Sequence, residues 1–366
     1  MRLRRPDFFA GDWRADDCAV AAAADSCYRA VMKPEDLGWC PFFAEQFAPF
    51  KQKGLLPARV VRGEKNYFRV NCEGQELTAR FAGRIRHKAD GRSELPVVGD
   101  WVAVDVQQEQ GRATIHAVLE RRSSFARNLP GRRKGKGQER VEKQVIAANV
   151  DLVLIVSGLD RDFNLRRIER YLTLVSGSGA EAVIVLNKAD LCADPQACLE
   201  QVRKIAPETP IHLFSALDVR QLESLFAHLS YGRTLALLGS SGVGKSTIIN
   251  GLLGEQRQKV AAVSEAVGKG RHTTTHRELF VLPQGGILMD NPGMRELHLW
   301  GEEEDLAGSF ADIEELAQHC RFSDCGHRSE PGCAVRGAQD SGTLDSARLA
   351  SYLKLKEELG RLRPRR

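Results

Sequence analysis

The segment Gly239-Ser-Ser-Gly-Val-Gly-Lys-Ser246 constrains the fold of this chain more than any other feature. It matches the pattern G-x-x-x-x-G-K-[ST] and lies between a predicted strand and a predicted helix, which is the context that the pattern requires. Its glycines let backbone N–H groups face phosphates at a helix N-terminus. Lys245 would contact the β and γ phosphates, and the Ser246 hydroxyl would ligate Mg²⁺. The predicted phosphate-binding residues are Gly239, Ser240, Ser241, Gly242, Val243, Gly244, Lys245, Ser246 and Thr247.

Long apolar runs, separated by segments with helical periodicity, surround this phosphate-binding loop (P-loop). Such runs are typical of strands that are buried on both faces of a parallel sheet. Between them, Leu165, Ile168 and Leu172 indicate one helix, and Leu222, Leu225 and Leu229 indicate another. We predict a doubly wound α/β domain over residues 145–300. The predicted strands are 150–156, 182–186, 211–214, 234–238, 279–282 and 286–289.

Asn187-Lys-Ala-Asp190 follows one of these strands directly and predicts the base of the nucleotide. The Asp190 carboxylate can accept hydrogen bonds from both the ring N–H and the exocyclic NH₂ of guanine, whereas adenine would place an acceptor against it. Asn187 and Lys188 would brace the base and its loop. Ser215-Ala216, after the next strand, would supply a backbone N–H to guanine O6. The motif favours GTP over ATP, and a P-loop ATPase or kinase is the disfavoured alternative.

Asp290-Asn-Pro-Gly293 ends the last predicted strand. Asp290 would hold Mg²⁺ through water, and the Gly293 N–H would meet the γ-phosphate. Thr274, in Gly270-Arg-His-Thr-Thr-Thr275, is the second predicted hydroxyl ligand of Mg²⁺. The residue after Gly293 is Met294, which cannot orient a water molecule as glutamine does. His272 is the nearest polar candidate, so the predicted catalytic residues are His272, Lys245 and Thr274.

The order of these motifs is unusual, because the base-binding motif at 187 precedes the P-loop at 239. In ordinary small GTPases the P-loop comes first. The chain is therefore predicted to be a circular permutation of that domain, a change that leaves the sheet and its loops intact. In this order the segment after Asp290 leads directly into the C-terminal domain, so the nucleotide state could move that domain.

A smaller β domain is predicted before the nucleotide-binding domain. Apolar and polar residues alternate at 67–72 and 77–81, and residues 101–104 and 113–119 add further β patterns. Short strands with glycine-rich turns favour a five-stranded OB-fold barrel over residues 51–120, of the kind whose open face binds RNA. A barrel with a purely structural role is the alternative. Residues 1–50 are predicted to be a partly disordered N-terminal extension.

The formal net charge of +5 is unevenly distributed along the 366 residues. Residues 121–143 carry nine basic and two acidic side chains, and residues 348–366 carry seven basic and two acidic ones. We predict a basic linker at 121–144 that neutralises phosphates of RNA, with a solvated linker as the alternative. No apolar run approaches the ~20 residues of a membrane span. The nine cysteines are too sparse for a disulfide scaffold, and we expect a reducing, cytoplasmic setting.

The last predicted domain, residues 301–366, contains a cysteine and histidine cluster and ends in a basic amphipathic helix. Three thiolates and one imidazole close a tetrahedral structural site for one Zn²⁺ with no open position for catalysis. Buried cysteines without a metal are the alternative. The predicted ligands are Cys320, Cys325, His327 and Cys333.

With these motifs in this order, residues 37–362 resemble the RsgA (YjeQ) family of circularly permuted GTPases of small ribosomal subunit biogenesis. The resemblance rests on the barrel, Lys143-Gln-Val-Ile-Ala-Ala-Asn149, N-K-A-D, G-S-S-G-V-G-K-S-T, G-R-H-T-T-T, D-N-P-G-M-R-E and C-x₄-C-x-H-x₅-C. It implies slow GTP hydrolysis that the small subunit stimulates, with the barrel and the zinc domain contacting ribosomal RNA. It also implies that His272 assists hydrolysis.

The expected partners are therefore GTP or GDP and the small ribosomal subunit with its rRNA. We expect neither DNA nor a membrane as a partner, and we expect a monomer. The alternative function is an RNA-docking module whose nucleotide is only a structural ligand.

Overall fold

The computed structural model describes residues 33–64, 67–82, 95–129, 142–254, 277–290, 306 and 309–362. Among the predicted site residues, His272, Thr274 and Gly293 lie outside these ranges, as does the extension up to residue 32. Within the described ranges, no helix combines the length and the apolar character needed to cross a membrane.

Five strands form a closed barrel near the N-terminus, as predicted. They pair in the order β1-β2-β3-β5-β4, and β4 returns to pair with β1. Apolar and polar residues alternate along the strands, so that apolar side chains fill the inside of the barrel. In β3, Leu77 and Ala79 are buried while Glu76 and Arg80 face outward. The strands are β1 (Leu56–Gly63), β2 (Phe68–Cys72), β3 (Gln75–Phe81), β4 (Trp101–Gln107) and β5 (Arg112–Val118).

A short helix that the sequence analysis did not predict covers one end of this barrel. Helix α1 (Pro41–Lys51) lies, except for its last residue, in the segment predicted as a partly disordered extension, 1–50. Phe43 and Phe47 are one helical turn apart and pack with Trp101 of the barrel in one buried cluster. Burial of this aromatic face stabilises a helix that would be marginal in isolation.

The basic segment predicted as a linker, 121–144, is in part a β-hairpin. Strands β6 (Ser124–Leu129) and β7 (Glu142–Ala148) pair antiparallel. Phe125, Ile146 and Ala147 are buried, so apolar burial anchors both strands despite the surrounding charge. Residues 130–141, which carry most of the lysines and arginines, lie outside the described ranges.

The predicted doubly wound α/β domain follows. Its strands pair in the order β10-β9-β8-β11-β13-β12, with all neighbours parallel except β13 and β12. The helices are α2 (Leu165–Ser176), α3 (Pro195–Ile205) and α4 (Lys245–Leu253), and the helix predicted around Leu222 is a 3₁₀ helix, Val219–His228. The strands are β8 (Leu152–Gly158), β9 (Glu181–Asn187), β10 (Ile211–Leu213), β11 (Thr234–Leu238), β12 (Arg277–Val281) and β13 (Ile287–Asp290).

The two faces of this sheet have separate cores, which explains the continuous apolar runs. In β8, Val153 and Ile155 belong to the cluster that includes residues of α2 and α3. Their neighbours Leu154 and Val156 belong to the cluster that includes α4 and the 3₁₀ helix. Because both faces of the sheet are covered, the residues that point to either face are apolar. The strand therefore shows no alternation of apolar and polar residues.

The barrel and the α/β domain share one sheet of eleven strands. Strand β1 of the barrel pairs antiparallel with β12, with Arg62 opposite Glu278 and Gly63 opposite Arg277. Since β12 is the edge strand of the α/β sheet, this pairing covers its exposed backbone groups.

Arg59 reinforces this junction from inside. Its side chain is 1% exposed. The guanidinium donates hydrogen bonds to the carbonyl oxygens of Leu37, Gly99 (3.3 Å) and Asn149 (3.2 Å), and to Thr234 Oγ1 (2.7 Å). Burial lowers the pKa of Arg59 to about 10, with Asp151 opposing the shift, so the group stays charged at neutral pH.

The C-terminal helices are α5 (Ala311–Ala317), α6 (Ala334–Asp340) and α7 (Ser346–Leu362). They enclose a small core that includes Phe310, Ile313 and Tyr352. Arg348 of α7 donates to Glu169 Oε1 of α2 at 2.8 Å, and this ion pair is buried between the two domains.

Arg59→Met should lower the free energy of unfolding by about 3 kcal/mol, because it removes a buried, charged hydrogen-bond donor and leaves its carbonyl partners unpaired. Urea denaturation followed by tryptophan fluorescence would measure the loss. Arg69→Met is the matched control, since the Arg69 side chain in β2 is 40% exposed. An equal effect of the two substitutions would contradict the role of Arg59 in the junction.

Candidate functional site

The P-loop connects β11 to α4, as the sequence predicts, and two of its glycines are required by close contacts. At Gly244, with φ +98°, an added Cβ would lie 2.2 Å from Asn187 Nδ2. At Gly239 an added Cβ would lie 2.4 Å from the Val156 carbonyl oxygen. Gly244 is also the N-cap residue of α4, so the loop directs the N-terminus of this helix into the site.

Lys245, the P-loop lysine, is buried and folds back over its own loop. Its Nζ donates to the carbonyl oxygen of Gly239 at 2.7 Å and to that of Ser240. These contacts keep the ammonium group inside the curve of the loop. Ser246 and Thr247 lie in the first turn of α4 and are half-buried.

Asn187 holds three of the predicted motifs together. Its Nδ2 donates to the Val243 carbonyl oxygen in the P-loop at 2.7 Å, and its Oδ1 accepts from the Ala216 N–H at 2.8 Å. The side chain is 2% exposed, so both hydrogen bonds are shielded from water and gain strength. The N-K-A-D segment, the P-loop and Ser215-Ala216 therefore meet at one edge of the sheet.

The N–H groups of Ser215 and Ala216, one of which is expected to reach guanine O6, both have partners within the protein. The Ala216 N–H donates to Asn187 Oδ1. The Ser215 N–H donates to Gln221 Oε1 at 3.0 Å. In this structure the segment braces Asn187 rather than offering either of these N–H groups to a base.

Lys188 adopts a left-handed conformation, φ +62°, and pairs with Asp160 in the loop after β8. Burial opposes ionisation of Asp160, but the hydrogen bond and the charge of Lys188 outweigh it and hold the pKa of this carboxyl below its usual value. The turn at Lys188 leads into the 3₁₀ helix Ala189–Leu191, on which Asp190 is exposed.

The same loop after β8 contains a polar group that sequence reasoning missed. Asp162 accepts hydrogen bonds from Ser240 of the P-loop and from Arg167 of α2. Arg167 Nη1 also donates to Ser240 Oγ at 2.9 Å. The run of charged residues at 160–162, directly after a buried strand, was the available signal, because loops after parallel strands meet at the binding edge of such a sheet.

Asp290 ends β13, the parallel neighbour of β11, and is 6% exposed. Because the P-loop follows β11, Asp290 and the P-loop lie at the same edge of the sheet. The remaining predicted residues of the nucleotide site, His272, Thr274 and Gly293, lie outside the part of the chain that the structure describes.

The cysteine and histidine cluster in the C-terminal domain could hold a metal ion. One ligand atom from each of Cys320, Cys325, His327 and Cys333 lies within 4.8 Å of all the others. His327 directs Nδ1 at the thiols, 3.6 Å from Cys320 Sγ and 3.5 Å from Cys333 Sγ. Burial opposes ionisation of Cys320, but the N–H groups at the start of α6 lower the pKa of its thiol, which favours the thiolate that a metal binds.

Comparisons with known proteins agree with this architecture. The RsgA GTPase family model matches residues 118–300. The small ribosomal subunit biogenesis GTPase RsgA of Syntrophotalea carbinolica is 48% identical over 329 residues, which cover 90% of each protein. The chain belongs to the RsgA GTPase family.

Solved structures support the same fold. YjeQ from Thermotoga maritima superposes with a TM-score of 0.62 at 27% identity, over 83% of this chain and 98% of that one. YloQ, a circularly permuted GTPase, superposes with a TM-score of 0.59 at 24% identity, over 85% and 97% of the two chains. The predicted circular permutation is confirmed, and members of this family are GTP hydrolases.

Asn187→Ala should lower the free energy of unfolding without nucleotide by about 2 kcal/mol, because it leaves a buried carbonyl and a buried N–H unpaired. Urea denaturation measures this loss. Gln221→Ala removes an exposed acceptor from Ser215 and should cost well under about 1 kcal/mol. If both variants lost the same free energy, Asn187 would not be the residue that joins the loops.

Proposed function

We propose that the chain is a GTPase of small ribosomal subunit biogenesis that binds ribosomal RNA, hydrolyses GTP to GDP and phosphate, and is stimulated by the subunit. The observation that carries the proposal is the double hydrogen bond of Asn187. It joins a phosphate-binding loop to the loop that carries Asp190, so the base-recognising and phosphate-binding groups have one fixed spacing. Two RsgA relatives are named small ribosomal subunit biogenesis GTPases.

The proposed nucleotide site uses the residues that the sequence indicates. Backbone N–H groups of 240–246 surround the phosphates, with Lys245 contacting the β and γ phosphates and Thr247 completing the first turn of α4. Asp190 accepts the two guanine N–H donors, and Lys188 stays braced by Asp160. The Ala216 N–H is bonded to Asn187, so Ser215-Ala216 would close the base side of the site by holding Asn187 in place. The full set comprises Asn187, Lys188, Asp190, Ser215, Ala216, residues 239–247, Asp290 and Gly293.

Each residue proposed to lie near the γ-phosphate has a separate role in hydrolysis. We propose Ser246, Thr274 and Asp290 as the residues that hold Mg²⁺, an ion that neutralises charge developing on the phosphates. His272 would orient the attacking water, since Met294 occupies the position after Gly293. Lys245 would lie beside the oxygen that bridges the β and γ phosphates. Negative charge increases on this oxygen as its bond to the γ-phosphorus breaks.

The metal of the C-terminal cluster is proposed to be one structural zinc ion. In tetrahedral coordination, bonds of about 2.3 Å to sulfur and about 2.0 Å to nitrogen place two sulfur atoms about 3.8 Å apart and a sulfur and a nitrogen about 3.5 Å apart. The Sγ atoms of Cys320 and Cys333 are 3.8 Å apart, and the distances to His327 Nδ1 are 3.6 and 3.5 Å. Three thiolates and an imidazole leave no position for a substrate.

The RNA-binding role is assigned to the barrel, the basic linker and the C-terminal domain, on either side of the nucleotide site. Strand β12 begins shortly after Thr274 and pairs with β1 of the barrel, while Asp290 precedes the C-terminal domain. A change in the segments around the γ-phosphate can therefore reach both flanking domains. The proposed domains span residues 1–50, 51–120, 121–144, 145–300 and 301–366. Acting on assembling ribosomes, the chain would work in the cytoplasm, and we propose that it does so as a monomer.

GTP turnover should rise when purified small subunits are added, because contact with the subunit would align the groups that orient the attacking water. Lys245→Ala should reduce stimulated turnover by about 100-fold or more, whereas the exposed control Lys204→Ala should not. Release of inorganic phosphate measures both effects. Unchanged turnover with subunits would overturn the proposal. Negligible turnover throughout, with RNA binding preserved in Lys245→Ala, would instead favour an RNA-docking module.

Protein purified without chelator should contain about one zinc ion per chain by elemental analysis. Cys333→Ser should lose most of it and lower the unfolding temperature, because a structural zinc contributes folding free energy. Cys198→Ser removes a thiol outside the cluster and should retain the metal. Absence of zinc from the unaltered protein, or equal loss in the control, would refute the site.

A further inference from the structure

Two cysteines are in contact beside the loop that carries Asp190. The Sγ atoms of Cys192 and Cys198 are 3.9 Å apart, and both side chains are half-buried. The described residues bring no third metal-binding group to this pair, and the proposed nucleotide site uses neither thiol. The reaction open to two adjacent thiols of this kind is oxidation to a disulfide.

The two sulfur atoms would have to approach by only about 1.9 Å to reach the ~2.05 Å of a disulfide bond. Cys192 is the C-cap residue of the 3₁₀ helix Ala189–Leu191 and has extended backbone. Cys198 lies near the start of α3, where the N-cap residue Asp194 accepts a hydrogen bond from the Ala197 N–H at 3.0 Å. Because a capped helix holds Cys198, closing the bond would move Cys192.

A movement of Cys192 would reach Asp190 through the backbone. The Cys192 N–H donates to the Ala189 carbonyl oxygen at 3.3 Å, and the Leu191 N–H donates to the Lys188 carbonyl oxygen at 3.0 Å. These two hydrogen bonds close the turn on which Asp190 lies. Drawing Cys192 toward α3 would therefore displace the carboxylate that is proposed to accept the guanine N–H donors.

We propose that Cys192 and Cys198 form a reversible disulfide, with hydrogen peroxide as the oxidant, and that this disulfide weakens the binding of guanine nucleotides. The effect on nucleotides rests on the proposed function, which assigns Asp190 to the guanine base. In a reducing compartment the pair stays reduced and closes only transiently. Exchange with other thiols then reopens it.

The oxidation proceeds in two steps. Burial beside Cys192 raises the pKa of the Cys198 thiol, so the first attack is assigned to Cys192. Its thiolate attacks one oxygen of the peroxide, the O–O bond breaks, hydroxide leaves and a sulfenic acid forms. The Cys198 thiolate then attacks the sulfenic sulfur, the S–S bond forms, the S–O bond breaks and a second hydroxide leaves. The two thiol protons convert both hydroxides to water, and the peroxide receives the two electrons that the sulfur atoms lose.

Peptide mass spectrometry tests whether the disulfide forms. Trypsin cleaves after Lys188 and Arg203, so residues 189–203 form one peptide that contains both cysteines. After treatment of the full chain with hydrogen peroxide and alkylation of the remaining thiols, this peptide should be unalkylated and two hydrogens lighter than its dithiol form. Dithiothreitol should restore both thiols. A peptide with both cysteines alkylated, or with each oxidised separately, would overturn the proposal.

Affinity for GDP tests the consequence. Oxidised protein should bind GDP about tenfold more weakly than reduced protein, because hydrogen bonds to a charged carboxylate contribute about this factor. Cys192→Ser and Cys198→Ser, treated with peroxide in the same way, should keep the affinity of the reduced protein. Cys40→Ser removes a half-buried thiol outside the pair and should respond as the unaltered protein does. All of these proteins retain the C-terminal cysteines, so oxidation of that cluster affects them equally.

The outcomes separate the disulfide from the proposed function. An equal loss of affinity in Cys192→Ser and Cys198→Ser, or a disulfide that leaves the affinity for GDP unchanged, would overturn the proposal. Failure of the reduced, unaltered protein to bind GDP would overturn the proposed function and the effect on nucleotides with it. The mass of the peptide would still decide whether the disulfide forms.

Discussion

The pairing of β1 with β12 is the constraint on which the relation between the domains depends. It joins the five-stranded barrel and the sheet of the GTPase domain into one sheet of eleven strands. Arg59 strengthens the junction because its donors reach Leu37 before α1, Gly99 of the barrel, Asn149 after the hairpin and Thr234 at the start of β11. The barrel cannot rotate freely on the GTPase domain without breaking backbone hydrogen bonds and exposing this buried charge.

A second interaction organises the nucleotide site on this frame. Asn187 fixes the P-loop relative to the segment that carries Asp190, while Lys188 and Asp160 fix the neighbouring turn. Asp162 in the loop after β8 and Arg167 in α2 add contacts to the P-loop at Ser240. Because α2 also contacts the C-terminal domain through Glu169 and Arg348, this helix connects the phosphate-binding loop to that domain.

Local sequence patterns predicted the motifs, the sheet and the barrel well, because each depends on residues close together in the chain. The predicted strand 234–238 has the bounds of β11. Non-local features were missed. Arg59 looks like an ordinary outward-facing residue of β1, yet its partners lie 22 to 175 residues away. Helix α1 and the hairpin of β6 and β7 were missed because burial against distant residues stabilises them, and periodicity does not show which surface will cover a face.

We propose that the nucleotide state and binding to the small subunit are coupled through this shared sheet. The most direct test is the affinity of the protein for small subunits with a non-hydrolysable GTP analogue and with GDP. Coupling predicts affinities that differ by at least about fivefold, and linkage requires the subunit to change the preference for the two nucleotides by the same factor. Equal affinities in the two nucleotide states would show that the shared sheet does not couple them.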